Sequence, residues 1–129
     1  MRLVLAFCLL AGPGWAQEVD CSQAEAQVEL TFCAEQEWIA ADEELNAAYK
    51  AALVVMKEID ASVGDRAAEG FLRQAQRDWV NYRDNACAAE GYFMHGGSAE
   101  PMVIYGCRAR LTEERTMGLY YLTESEGGG

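Results

Sequence analysis

Apolar side chains recur in alternating steps of three and four along Trp38, Ala41, Leu45, Ala48, Ala52, Val55 and Ile59. That spacing puts them on one stripe of an α-helix and on no face of a strand. A second run, Ala68, Leu72, Ala75, Trp79, Tyr82 and Ala86, repeats the pattern. Between them lies "DASVGDR" (60–66), where Gly64 suits a helix C-cap and Asp65 the next N-cap. Two striped helices joined by so short a turn must bury their stripes against each other. The expected core of the fold is therefore an antiparallel helical hairpin.

The remaining segments extend an all-α reading. Ser22 and Glu25 have the S-x-x-E spacing of a capping box, which predicts a short leading helix ending around Thr31–Cys33. The first hairpin helix then runs from about Glu35 to Asp60 and the second from about Arg66 to Glu90. "GYFMHGGSAEP" (91–101) is a glycine-rich loop. After it, Pro101 suits the first turn of a third helix that runs to about Leu122. Residues 123–129, "TESEGGG", read as a flexible tail. The expected fold is a disulfide-stapled antiparallel hairpin with a short leading helix and a third packed helix.

Residues 1–16, "MRLVLAFCLLAGPGWA", carry a basic start, an apolar run from Leu3 to Ala11 and small residues before Gln17. This is the pattern of a cleaved signal peptide, and the run is too short to span a bilayer. Cys8 follows bulky Phe7 inside the apolar run, so no lipid attachment and no membrane anchor is expected. Cleavage leaves 113 of the 129 residues, the size of one domain (17–122 plus the tail), in the periplasm or outside the cell. Loss of Arg2 leaves 9 basic and 21 acidic side chains, a formal charge of −12. A nucleic-acid partner, which needs a basic footprint, is excluded on this ground. A basic protein partner is favoured.

Four cysteines remain after cleavage, Cys21, Cys33, Cys87 and Cys107. An even number in a small exported domain argues for two disulfides. On one straight helix Cys21 and Cys33 would lie about 18 Å apart, so a bond between them requires the chain to fold back. A Cys87–Cys107 bond would staple the third helix to the hairpin across the glycine-rich loop. The sequential pairing is the expected one. Cys33–Cys87 with Cys21–Cys107 stays compatible with the hairpin register. In that register, residues whose numbers sum to about 124 face each other. Leu45 then meets Trp79, Ala52 meets Leu72, and Asp42 comes within reach of Arg83 as a structural ion pair.

"RQAQRDWVNYRDNAC" (73–87) crowds three of the eight arginines beside Trp79 and Tyr82. Both aromatics fall on the stripe, where core packing explains them better than base stacking. No enzyme chemistry is visible. The one histidine, His95, lies in the loop, and no nucleophile–histidine set, phosphate-binding glycine motif or metal-ligand spacing accompanies it. Glu43–Glu44 and Glu113–Glu114 are sequence neighbours that diverge by about 100° on a helix, so they cannot converge as an acid/base pair. No cofactor is expected.

Three blocks carry a resemblance: residues 20–50, 72–87 and 96–119. Cys21 with Cys33, the Asp42–Leu45–Asn46–Tyr49 run, the Gln76–Trp79–Tyr82–Arg83–Cys87 run, and Cys107 followed by Leu111, Thr112 and Arg115 resemble the LprI-type lysozyme-inhibitor family in the right order. The resemblance implies an exported helical domain of bacterial envelopes that binds lysozyme directly and inhibits it. The name-giving member is a lipoprotein, and here the chain departs, having no lipobox. The resemblance supplies no set of inhibitory residues. An envelope interaction or scaffold protein that never meets lysozyme is the alternative, and oligomeric state is not legible.

Two surfaces are candidates for holding a c-type lysozyme. Between Ser22 and Asp60 nine acids face two lysines, a net of −7. Glu35, Glu37, Glu43 and Glu44 are the candidates there for steering a basic partner. The other surface is the loop, where Tyr92 and Phe93 are candidate anchors. His95 is a candidate donor to the two carboxylates that a glycosidase presents.

Overall fold

The chain reverses direction before its first helix. In the computed structural model, which describes residues 18–124, Cys21 is bonded to Cys33 with Cα atoms 5.7 Å apart. The reversal is made at Asp20, whose Oδ1 accepts from the Ser22 amide at 2.9 Å and the Ser22 hydroxyl at 2.7 Å. Ser22 is thereby spent on a turn and cannot cap a helix. This corrects the expected leading helix. A helix from Ser22 through Cys33 would hold the two cysteines far outside bonding distance, so helix onset waits until Gln27. Helix α1 (Gln27–Val63) then runs without a break through Thr31–Cys33. Its start is held by Glu29, whose carboxylate reaches back to the Ala26 and Glu25 amides at 3.2 Å each.

The hairpin turn is tied from both sides. Gly64 ends α1 at φ 72°, a conformation that favours glycine, and its amide bonds to the Asp60 carbonyl at 3.0 Å. Helix α2 (Ala67–Gly91) has its cap supplied from α1. The buried Asp60 carboxylate accepts from the Ala68 amide at 2.9 Å and the Glu69 amide at 3.1 Å. The Asp65 carboxylate accepts from the adjacent Arg66 amide, so it does not act as the cap expected of it.

After a single 3₁₀ turn (Tyr92–Met94), α3 (Glu100–Glu124) completes the all-helical fold, with no strand among the described residues. Thr123 and Glu124, expected in the tail, are the last residues of α3. Residues 1–17, with the expected signal peptide, and 125–129 lie outside the described residues. Helix α3 packs most extensively on α1. Gln27 meets Met102 at 3.5 Å, Trp38 stacks on Tyr105, and Leu119 joins Leu45, Ala48 and Ala52 in the core. Partners thus advance together along both helices, so α3 runs parallel to α1. Ala41, Ala48 and Ala52 are all buried and let the two backbones approach.

The hairpin cluster also contains Leu72, with Trp79 against it, so Leu45 and Trp79 share one core with Ala52 and Leu72. Two positions differ from the expected stripe, and one of them is Ala75, which is exposed. Tyr82 is 60% exposed, while its neighbour Arg83 is buried at 7%. The buried edge of α2 is Leu72, Arg83, Cys87 and Gly91, because α2 must serve α3 as well as α1. That demand turns it by about one residue from a stripe facing α1 alone.

The second bond, Cys87–Cys107, has Cα atoms 5.4 Å apart and packs with Leu111 and Ile104. Each bond should contribute about 2–4 kcal/mol. Their accessibility differs. Cys21 is exposed, whereas Cys87 and Cys107 are buried at 0% and 3%. Exchange requires a thiolate to reach sulfur. Under mild dithiothreitol, alkylation followed by peptide mass spectrometry should therefore label Cys21 and Cys33 well before Cys87 and Cys107. Simultaneous labelling would show that the second bond is not shielded.

Candidate partner-binding surface

The loop after α2 is fixed at its base. Gly91 closes α2 so tightly against α3 that a Cβ there would lie 2.5 Å from Ile104 Cγ1. Ile104 in turn packs on the Cys87–Cys107 bond. The loop then orders itself. The His95 amide donates to the Tyr92 carbonyl at 3.1 Å, and the Gly97 amide to the Met94 carbonyl at 2.9 Å. Gly96, at φ 77°, takes the left-handed conformation between them.

Glu100, the first residue of α3, closes the arrangement. Its Oε2 accepts from the Gly96 amide at 2.8 Å, and its Oε1 lies 3.1 Å from His95 Nδ1. The Gly96 hydrogen bond first, and then the one from His95, hold the Glu100 carboxyl below the usual carboxylate range. Tyr92 stacks on the His95 ring at 4.1 Å with 7° between planes. His95 thus presents Nδ1 inward, and Nε2 has no partner among the described residues.

The apolar side chains of the loop do not turn back onto the core. Phe93 is 88% exposed, Tyr92 66% and Met94 49%. Shallow clefts open against the second half of the loop, at 96–98. One, of about 530 Å³, lies between Gly96–Gly97, Glu100, Tyr105 and Arg108. Another, of about 410 Å³, lies between Gln27, Val28 and Thr31 of α1 and Ser98 and Pro101. Both depressions adjoin Pro101 at the start of α3, at the end of the molecule that carries both disulfides.

The four acidic candidates do not form one patch. Glu37 and Glu44 are two turns apart on one side of α1, whereas Glu35 and Glu43 lie round the other side. Glu37, Glu43 and Glu44 are exposed and Glu35 is half-buried. None of the four has an ion-pair partner among the described residues.

Asp42 and Arg83 come together, with Arg83 Nη1 3.3 Å from Asp42 Oδ1. Arg83 Nε also bonds to Asp84 at 3.0 Å, and its guanidinium lies over both Trp38 (5.4 Å) and Trp79 (5.2 Å). Arg108 covers Trp38 at 4.8 Å and lies 3.4 Å from Asp84. Arg83 and Trp79 of 73–87 and their partners are thus packed into the frame beneath the loop, whereas Arg73, Arg77 and Tyr82 are exposed. Among the described residues no group of three or more His, Cys, Asp or Glu is placed to hold a metal ion, and no helix is long and apolar enough to cross a membrane.

Sequence reasoning missed Glu100 and Asp60. Their carboxylates act on backbone amides rather than on motif partners. The available signal was positional: an acid at the start of one helix, and an acid one turn before the glycine that ends another.

Fold and surface together define a small, disulfide-stapled helical domain whose ordered loop displays aromatic side chains. Within that class the chain belongs to the LprI lysozyme-inhibitor family, whose model, "Lysozyme inhibitor LprI", matches residues 20–119. It is also 42% identical over 130 residues to an "Uncharacterized protein R02472" of Rhizobium meliloti (strain 1021), covering 95% of this chain and 93% of that one. No solved structure matches.

Proposed function

We propose that this chain is an exported binding protein, periplasmic or secreted, that inhibits c-type lysozyme by occupying its substrate cleft. The observation that carries the reading is the loop at 91–100. It is tethered at its base by the Cys87–Cys107 bond and ordered by its own hydrogen bonds, yet it holds Phe93 at 88% exposure. The backbone that carries this exposed aromatic is already ordered, so binding has less freedom to remove. Phe93 is suited to act as an anchor in a concave apolar site. With both ring nitrogens protonated, His95 keeps Nδ1 on Glu100 and offers Nε2–H to a carboxylate. The acidic excess of the chain favours encounter with a basic enzyme, and its wrapped distribution around α1 fits general attraction better than one docking patch. We read the role as binding rather than catalysis because the family model is that of an inhibitor.

The test is turbidity clearing of a bacterial suspension by lysozyme, with and without the purified domain. Clearing should stop near stoichiometric amounts, with a modest weakening as salt rises. Undiminished clearing at large excess would discard lysozyme as the partner and leave an envelope interaction or scaffold role.

A further inference from the structure

We infer that Glu100 is the positioning residue of the loop, and that the pairing of one carboxylate with the Gly96 amide and the His95 ring sets how Phe93 is presented to the partner. This rests on the loop being the surface that binds.

The loop has little else to hold it. Its side chains are exposed from Tyr92 through Ser98, so packing cannot fix its shape. Three backbone hydrogen bonds tighten its turns, but each spans only three residues, 92 to 95, 94 to 97 and 97 to 100. Among the described residues the Glu100 side chain is the one that ties the loop tip at 95–96 to a helix. It grips two consecutive residues, one by backbone and one by side chain. Because Tyr92 stacks on His95, the same carboxylate also fixes the far side of the 3₁₀ turn that carries Phe93. Without it, Phe93 would sample many orientations, and their ordering would be lost from the binding energy. A carboxylate at the first residue of a helix is also well placed against the helix dipole, so the latch is consistent with its own location. The charged and titratable groups around it are Tyr92 and His95 on the loop side, and Tyr105 and Arg108 of α3, which line the same cleft.

The experiment follows the Gly96 amide by NMR in the full domain and lysozyme inhibition in parallel, for wild type, Glu100→Ala, Glu100→Gln and Phe93→Ala. In Glu100→Ala, exchange of the Gly96 amide should quicken by roughly three- to tenfold. Inhibition should weaken about five- to tenfold, with helix content by circular dichroism unchanged. A carboxyl held below its ordinary value of 4.5 supports the latch above that pH and releases it as the pH falls through its lower folded value. The wild-type Gly96 shift should therefore move in acid. In Glu100→Gln, which keeps an acceptor but no charge, it should stay flat. Unchanged Gly96 exchange in Glu100→Ala overturns the inference. So does faster exchange with undiminished inhibition while Phe93→Ala is inactive. If exchange quickens but neither variant alters inhibition, the loop is not the binding surface, and both the proposed surface and this role fall together.

Discussion

Phe93→Ala is expected to weaken inhibition of lysozyme by about 30- to 150-fold, a loss of ~2–3 kcal/mol. The size follows from where the side chain stands. At 88% exposure Phe93 contributes almost nothing to the folded domain, so the substitution should leave thermal stability within about 0.5 kcal/mol of wild type. Its whole effect should then fall on the complex, where an anchor of this size buries on the order of 150–250 Å². The loss should persist at every salt concentration and appear mainly as faster dissociation. Reversing two exposed acids, Glu43→Lys with Glu44→Lys, should behave oppositely. It should slow association in low salt and have little effect above physiological salt, because long-range attraction between exposed charges is screened. Stopped-flow binding to lysozyme separates the two. A Phe93→Ala variant that inhibits as wild type does would remove the loop from the proposal.

These contrasts follow from how the fold divides its labour, and the sequence showed only part of that division. The α1 stripe was legible because one long helix buries one continuous face. Leu45, Ala48 and Ala52 sit in the core where the three-and-four spacing puts them. The α2 stripe was legible only to within one residue. Arg83 rather than Tyr82 is buried, because a guanidinium lying between two indoles and two carboxylates is satisfied there. No count of apolar spacing reveals that satisfaction. The leading helix was misjudged for a related reason. The S-x-x-E signal at Ser22 and the fold-back that a Cys21–Cys33 bond demands are both legible, but not that the reversal falls at Asp20–Ser22 itself, where the bond overrides the propensity. In the loop, the aromatics could be named from sequence. Their exposure depends on a carboxylate several residues later and on a close approach at Gly91, neither of which has a local signature.

The largest expected loss of stability is at Arg83. Arg83→Ala should destabilise the domain by about 3 kcal/mol, read as a lowered urea midpoint at unchanged slope. Two contributions make up that figure. The guanidinium lies over Trp38 and Trp79, each contact worth roughly 1 kcal/mol when shielded from water. The buried aliphatic stem supplies the rest, since its removal leaves space between α1 and α2. The ion pairs contribute less. The Asp42 and Asp84 side chains are 41% and 42% exposed, so water already solvates them and their attraction is discounted accordingly. Asp42→Ala should therefore cost no more than ~1 kcal/mol. Arg83→Lys, which keeps the charge but not the flat face, should recover under half of the loss. Equal losses in Asp42→Ala and Arg83→Ala would mean that the ion pair and not the stacking holds the helices in register. The loop should feel the change as well, because Cys87 follows Arg83 by one helical turn and carries the bond at the loop's base. Arg83→Ala should thus weaken lysozyme inhibition by a few-fold even at temperatures where the domain stays folded.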